Sequence, residues 1–144
     1  MTFLVDTNVI SELQKPAPDA TVASWYDSVD DEDLYLSVAT VGEIAQGIEA
    51  VRRKSPERAG AYDAWLSRLR HGYRRRLIDV DADIGELWGR LNGQALAQGE
   101  KPQVMDNLIA ASAISRGLVL ATRNTKDFRR AKLTLFNPWQ QEVE

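Results

Sequence analysis

The sequence has 144 residues, with 18 Lys and Arg against 21 Asp and Glu, and a formal net charge of −3. Hydrophobic residues make up 44%, as in a folded globular domain, while zero cysteines and a single histidine exclude disulfides, thiolate metal sites and a poly-histidine zinc site. No apolar run approaches the roughly 20 residues of a membrane-spanning helix, and MTFLVD lacks the features of a signal peptide, so we expect a cytoplasmic protein.

Hydrophobic periodicity and turn signals predict alternating strands and helices. In chain order, the first half predicts a strand at 2–5, helices at 9–15 and 19–29, a strand at 34–38, a helix from Thr40, and a helix with Tyr62, Trp65, Leu66 and Leu69 on one stripe. The second half predicts a strand at 76–80, a helix from Ile84 to near Gly99, a helix from Pro102 to Gly117, and strands at 118–122 and 133–136. This order is typical of an α/β domain with a central, mostly parallel five-stranded sheet and helices on both faces, and we expect residues 1–144 to form a single domain.

Isolated polar residues fall at one edge of this predicted sheet, where ligands bind in open α/β folds. Asp6 follows the first strand, Glu43 lies in the first turn of the helix after the second strand, and Asp106 lies near the start of the helix that returns to the fourth strand. Asn124 and Asp127 come just after the fourth strand. Four acids from distant segments are therefore predicted to share one rim.

Each acid has a structural explanation when it is taken alone. Asp6 is a suitable N-cap, Thr40 to Glu43 fits a capping box, and Asp106 suits the dipole of its helix. Capping does not explain why four acids gather at one rim, since like charges repel unless cations or protons intervene. Oxygen ligands without histidine or cysteine suit Mg²⁺ or Mn²⁺, so the pattern favours a metal site.

Four motifs in order carry a resemblance to a known family. They are LVDTNVISEL at 4–13, TVGEIAQG at 40–47, DNLIAA at 106–111 and TRNTKDF at 122–128, followed by FNPW at 136–139. The sequence resembles the PIN-domain nucleases, and its ending is similar to that of the VapC and FitB type of bacterial toxin. The resemblance covers the chain from end to end.

The resemblance implies an endoribonuclease that uses Mg²⁺ or Mn²⁺ and acts as the toxin of a toxin–antitoxin pair. By position, Asp6, Glu43 and Asp106 match the three strongest acids of the family, and Thr7 matches a hydroxyl that helps hold the metal or its water. Two alternatives stay open for the fourth ligand, because either Asp127 completes the metal shell or Asn124 contributes a neutral oxygen. One or two ions would then activate water and stabilise the leaving oxygen.

The resemblance also implies partners. The helical pair with the Tyr62 to Leu69 stripe, which by itself reads as core, contributes in the family to a homodimer and to a groove that an antitoxin helix fills. An antitoxin arginine that occupies the place of the metal or phosphate would silence such an oxygen-only site. Arg123 follows the fourth strand and is either a grip for RNA phosphate or part of a structural salt bridge.

The remaining charged residues give weaker signals. Basic residues form three runs, which are more often solvated faces than phosphate-binding sites: Arg52, Arg53 and Lys54; Arg74, Arg75 and Arg76; and Arg129, Arg130 and Lys132. His71 lies in a basic helical stretch and is expected at the surface rather than as a catalytic base.

Two rival functions stay open. A phosphotransfer domain would also place an aspartate after a strand, although Asn8 stands where the dehalogenase-like phosphatases need a second aspartate. A non-catalytic binding module would keep the fold without the activity, and Asn124 in place of an acid is compatible with it. A phosphotransfer domain would be phosphorylated on Asp6 by an acyl phosphate, whereas a non-catalytic binding module would not cleave RNA.

Overall fold

The computed structural model describes residues 1–128 and 131–144. The strands within these ranges are β1 (Phe3–Val5), β2 (Leu34–Ser37), β3 (Leu77–Ile78), β4 (Val119–Ala121), β5 (Leu135–Asn137) and β6 (Glu142–Val143). The helices of the same described residues are α1 (Thr7–Leu13), α2 (Ala20–Ser28), α3 (Val38–Lys54), α4 (Pro56–Gly72), α5 (Ala82–Ala97) and α6 (Val104–Arg116). Short 3-10 helices occupy Asp31–Asp33 and Thr125–Phe128.

The strands form one sheet in the order β3-β2-β1-β4-β5-β6. The pairs from β3 to β5 are parallel, which confirms the predicted α/β architecture, and β1 lies in the middle between β2 and β4. The sheet has one strand more than the predicted five, because the chain turns after β5 and returns antiparallel as β6. The central position of β1 brings the segments after β1 and β4 side by side.

Two layers of helices cover the sheet, and β1 contributes to both. Phe3 and Val5 belong to a core with side chains of α1 to α4, whereas Leu4 belongs to a core formed mainly with α5 and α6. Alternate strand residues point to opposite faces, so a continuous apolar strand such as this one is buried on both sides. Val5 ends β1 and is buried, and the next residue, Asp6, is the first of the polar residues at this edge of the sheet.

Some helix ends have the predicted capping residues, whereas some helix starts differ from the prediction, as for α6, which begins at Val104 and not at Pro102. Asp19 caps α2 through bonds from the N–H groups of Thr21 and Val22, and Gly117 ends α6 in the left-handed region at φ 65°, as predicted. Helix α3, however, begins at Val38 and not at Thr40, because the Ser37 hydroxyl accepts the capping bond. No helix in the described ranges is long and apolar enough to cross a bilayer.

Candidate metal centre

Asp6 follows β1 directly and is the N-cap residue of α1. Its Oδ1 accepts a hydrogen bond at 2.7 Å from the backbone N–H of Thr7, the first residue of α1, whereas a capping aspartate usually accepts from the second or third residue of its helix. Its Oδ2 accepts from the Thr122 hydroxyl at 2.7 Å and from the side-chain amide of Asn8 at 3.3 Å. The start of α1 therefore holds one carboxylate oxygen, while α1 and the residue after β4 together hold the other.

The environment of Asp6 disfavours its charged form. The residue is only 5% exposed, and this burial is the main reason why the pKa of its carboxyl rises from 3.8 to about 6. The bonds from Thr122 and Thr7 lower the pKa, whereas the negative charges of Asp106 and Glu43 raise it further. Both charges that shift this pKa are negative, so a cation would relieve the unfavourable electrostatics.

Glu43 lies in the second turn of α3, not in the first turn that the sequence predicts, because the helix starts earlier, at Val38. The capping box with Thr40 is also wrong, since Ser37 caps the helix. The Thr7 hydroxyl instead donates to Oε1 of Glu43 at 2.7 Å, and the hydroxyl oxygens of Thr7 and Thr40 lie 3.0 Å apart. The Glu43 carboxylate is thus held by Thr7 of α1 and takes no part in capping its own helix, α3.

Asp106 and Asp127 approach from the other side of the edge. Asp106 lies in the first turn of α6, as predicted, and is partly buried. Burial, Asp127 and Glu43, in that order, raise the pKa of its carboxyl. Asp127 is exposed in the 3-10 helix after β4, where its N–H bonds to the carbonyl of Asn124 at 3.1 Å. The two aspartates are near enough to interact electrostatically.

Asn124 and Arg123 border this group of acids. Both side chains are exposed, and the Asn124 backbone N–H donates to the Thr122 hydroxyl at 3.1 Å. The Arg123 guanidinium lies over the ring of Trp139, 5.1 Å from its centroid. Within the described residues its observed partner is therefore an aromatic ring rather than the carboxylate of a salt bridge, and its charge stays available to solvent.

Thr122 is a residue of this candidate site that the sequence did not single out. It is fully buried, and its hydroxyl donates to Asp6, accepts from the Asn124 N–H, and lies 3.2 Å from the Asn8 amide. The Asn8 Oδ1 in turn accepts from the Arg123 N–H at 3.3 Å. A hydroxyl at the end of the apolar run LVLAT was the signal that could have found it.

The donor chemistry of the four acids fits a hard divalent cation. The charges of Glu43 and Asp106 raise the pKa of Asp6, and those of Asp127 and Glu43 raise the pKa of Asp106. The side chains do not converge on one point, however, since among residues 1–128 and 131–144 no three of type Asp, Glu, His or Cys form a group that could hold an ion as they stand. Like-charged carboxylates repel one another and spread apart, and the charge of a cation would draw them together.

His71 and two of the three basic runs have places that the structure accounts for. His71 is exposed on α4, as expected for a surface residue. Arg52 forms an ion pair with Asp63 at 2.8 Å, and Arg76 donates to the carbonyl of Leu34 at 2.6 Å. In each of these two basic runs, one arginine therefore forms a contact within the protein. In the third run, Arg129 and Arg130 lie outside the described residues.

Comparisons with known proteins agree with the fold and the order of the motifs. A sequence model of the PIN domain matches residues 3–133. Toxin FitB of Neisseria gonorrhoeae is 32% identical over 95% of this chain and 98% of that protein, and VapC ribonuclease Y4jK of Sinorhizobium fredii is 36% identical over 96% and 98%. The solved structure of FitAB bound to an IR36 DNA fragment superposes with a TM-score of 0.86 at 30% identity, over 98% of each chain.

Proposed function

The chain belongs to the PIN-domain family, and from that premise we propose that it is a Mg²⁺- or Mn²⁺-dependent endoribonuclease that acts as the toxin of a toxin–antitoxin pair. The observation that carries the proposal is that Asp6, Glu43 and Asp106, from three separate elements, lie at one sheet edge as an electrostatically coupled group, in which the charges of Glu43 and Asp106 raise the pKa of Asp6 and the charge of Glu43 raises the pKa of Asp106. Relatives named as a VapC ribonuclease and as a toxin match nearly the whole chain.

The residues of the edge have separable tasks in hydrolysis of a phosphodiester. A divalent cation held by Asp6, Glu43 and Asp106 would supply an activated water and neutralise developing charge on the phosphate. Thr122 and Thr7 keep the carboxylates of Asp6 and Glu43 oriented toward the cleft through their 2.7 Å bonds. Asp127 or Asn124 completes the oxygen set.

Positive charge for the substrate comes from Arg123. Its guanidinium is exposed beside Asn124 and is held over Trp139, so it can pair with an RNA phosphate without losing its packing. A charge placed there also offsets the repulsion between the acidic edge and the RNA backbone. No histidine is needed as a base, which agrees with the exposed position of His71 in the last turn of α4.

A groove beside the acids suits a protein partner. It has a volume of about 230 Å³ and runs between α3 and α4, from Thr7 and Glu43 at one end to Tyr62 and Trp65. An apolar helix of an antitoxin would fill the aromatic part, and an arginine of that antitoxin would reach Glu43 and take the place of the cation. The same helical pair is expected to contribute to a homodimer, as the family resemblance implies.

The test is RNA cleavage by protein that has been purified free of antitoxin. Cleavage is expected with Mn²⁺ or Mg²⁺, to stop with chelator, and to be lost in Asp6→Asn and Asp106→Asn. Asp83→Asn is the matched control, because Asp83 is likewise an acid in the first turn of a helix, α5, but is not among the coupled group. Cleavage that persists in Asp6→Asn and Asp106→Asn would reject the site, and an inactive wild type would favour a non-catalytic binding module.

A further inference from the structure

A second cavity lies beside the acidic edge, on the side away from the α3–α4 groove. It has a volume of about 460 Å³ and opens between α5, the start of α6 and the 3-10 helix after β4. Asp127 lines this cavity and is also a candidate ligand of the proposed metal centre, so the two sites are adjacent. Its size falls within the range of roughly 300–1,000 Å³ that small-molecule sites occupy.

The walls of the cavity combine an apolar floor with amide groups. Leu91, Ala95 and Phe128 supply the apolar part, and Phe128 is only 2% exposed. The wall also carries the carboxamides of Gln94 and Gln103. An amide offers both a donor and an acceptor on one planar group, which is the pattern that reads the edge of a nucleobase.

One further amide in the wall is held in place. Asn107 lines the cavity, and its Nδ2 donates to Oδ1 of Asn92 at 2.8 Å. Asn107 follows Asp106 in α6, so one turn of this helix contributes both to the cavity and to the proposed metal centre. Lys101 stands at the same cavity and provides a positive charge for a neighbouring phosphate.

We propose that this amide-lined cavity is the subsite for a nucleobase next to the scissile phosphate of single-stranded RNA, with Gln94 and Gln103 as the residues that read its edge. The proposal rests on the proposed ribonuclease activity and adds a determinant of sequence preference. Unstacked bases in loops are the usual targets of sequence-specific RNA recognition, because both their faces and their edges are accessible. An amide that bonds to two atoms of a base selects adenine best, so adenine is the expected base.

The cavity suits a base better than its alternatives. A bare phosphate would be served by several cations, whereas the wall combines Lys101 with amides, Glu100 and Asp127. A peptide helix needs a long apolar groove, but here amides interrupt the apolar surface. A planar heterocycle uses both parts, since its face lies on the apolar floor and its edge meets the amides.

The test is a map of cleavage sites in a randomised single-stranded RNA pool with Mn²⁺. The wild type is expected to favour adenine at one position beside the cut, and Gln94→Ala and Gln103→Ala are expected to reduce that preference by roughly fivefold or more at that position alone. Gln46→Ala is the matched control, because Gln46 is an exposed glutamine within a helix, α3, and does not line the cavity. An unchanged preference in both variants would overturn the proposal.

A binding measurement separates this proposal from the proposed activity. Fluorescence anisotropy in chelator would compare short oligoadenylate with oligouridylate for wild type and variants. If the wild type cuts no RNA, the ribonuclease proposal fails, and loss of adenylate preference in the two variants would still support the base subsite. If the variants bind both oligonucleotides as the wild type does, or weaken only the binding of an antitoxin, the cavity is not a base subsite.

Discussion

The Thr7 hydroxyl donates a 2.7 Å hydrogen bond to Oε1 of Glu43, which joins the start of α1 to the second turn of α3 across 36 residues of sequence. Thr7 also follows Asp6, whose carboxylate accepts the Thr7 backbone N–H. One residue therefore contacts two of the proposed metal ligands through two different groups. This arrangement makes Thr7 a positioning residue for the acidic edge.

Replacement of Thr7 by valine is expected to reduce the rate of RNA cleavage strongly and to lower the free energy of unfolding only slightly. Valine has nearly the shape of threonine but cannot hold Glu43, and Glu43 is partly exposed, so that water can replace the lost bond. The free energy of unfolding should fall by about 1 kcal/mol or less, whereas kcat/KM on RNA should fall about tenfold or more. Thr7→Ser keeps the hydroxyl and should retain most activity; equal losses in serine and valine variants would contradict the role of the hydroxyl.

Replacement of Thr122 by valine is expected to destabilise the protein. The hydroxyl is fully buried and bonds to Asp6, Asn8 and the Asn124 N–H, so its loss leaves the buried Oδ2 of Asp6 with only the longer bond from Asn8. Urea unfolding should show a loss of about 1–3 kcal/mol, and Thr122→Ser should restore most of it. A valine variant as stable as the wild type would show that the network does not depend on this hydroxyl.

The raised pKa of Asp6 predicts an unusual pH dependence of stability. The carboxyl titrates at about 6 in the folded protein against an ordinary value of 3.8, so between these values the folded state binds more protons than the unfolded state. The contribution of Asp6 to the free energy of unfolding therefore falls as pH rises through this window, by up to about 3 kcal/mol, and is constant above it.

This dependence is measured by urea unfolding in chelator at several pH values. The wild type should lose stability relative to Asp6→Asn as pH rises from 3.8 to about 6, because asparagine carries no buried charge. At pH 7 the variant should be at least as stable as the wild type although it does not cleave RNA. A difference that stays the same at all pH values would mean that Asp6 titrates normally.

Addition of Mn²⁺ is expected to stabilise the folded protein if the acids bind the ion. A free ion concentration of 100 times Kd would add about 2.7 kcal/mol, because the unfolded chain lacks the site. Thermal unfolding should show an increase in Tm for the wild type and for Asp83→Asn, and a much smaller one for Asp6→Asn. The same increase in all three proteins would place the ion elsewhere.

Replacement of Arg123 by alanine is expected to weaken RNA binding in a salt-dependent way. The exposed guanidinium over Trp139 is proposed to contact one phosphate, so its loss should reduce the slope of log affinity against log salt by about 0.7, the value per phosphate for single strands. Anisotropy titrations with RNA in chelator measure this slope. Arg123→Lys keeps the charge and should preserve most of the slope, and an unchanged slope in the alanine variant would exclude the contact.

The sequence alone determined most of the architecture and where most of the polar residues fall. Apolar runs such as FLV and LVLA identify strands, and parallel strands place the residues after them at one edge, so Asp6, Asn124 and Asp127 were located without coordinates. Asp106 was located in the same way by the start of α6. These features depend on short-range patterns and on simple topological rules, which the order of residues contains.

Tertiary structure decided how those residues are held. Both Ser37 and Thr40 suit the start of α3, and the structure selects Ser37, which moves Glu43 into the second turn and within reach of Thr7. The raised pKa of Asp6 depends on burial beside the end of β4, and the position of Arg123 depends on Trp139 after the end of β5. Strand β6 forms because the chain turns back on β5. Hydrogen bonds, desolvation and ring contacts join residues that are distant along the chain, and no local pattern specifies them.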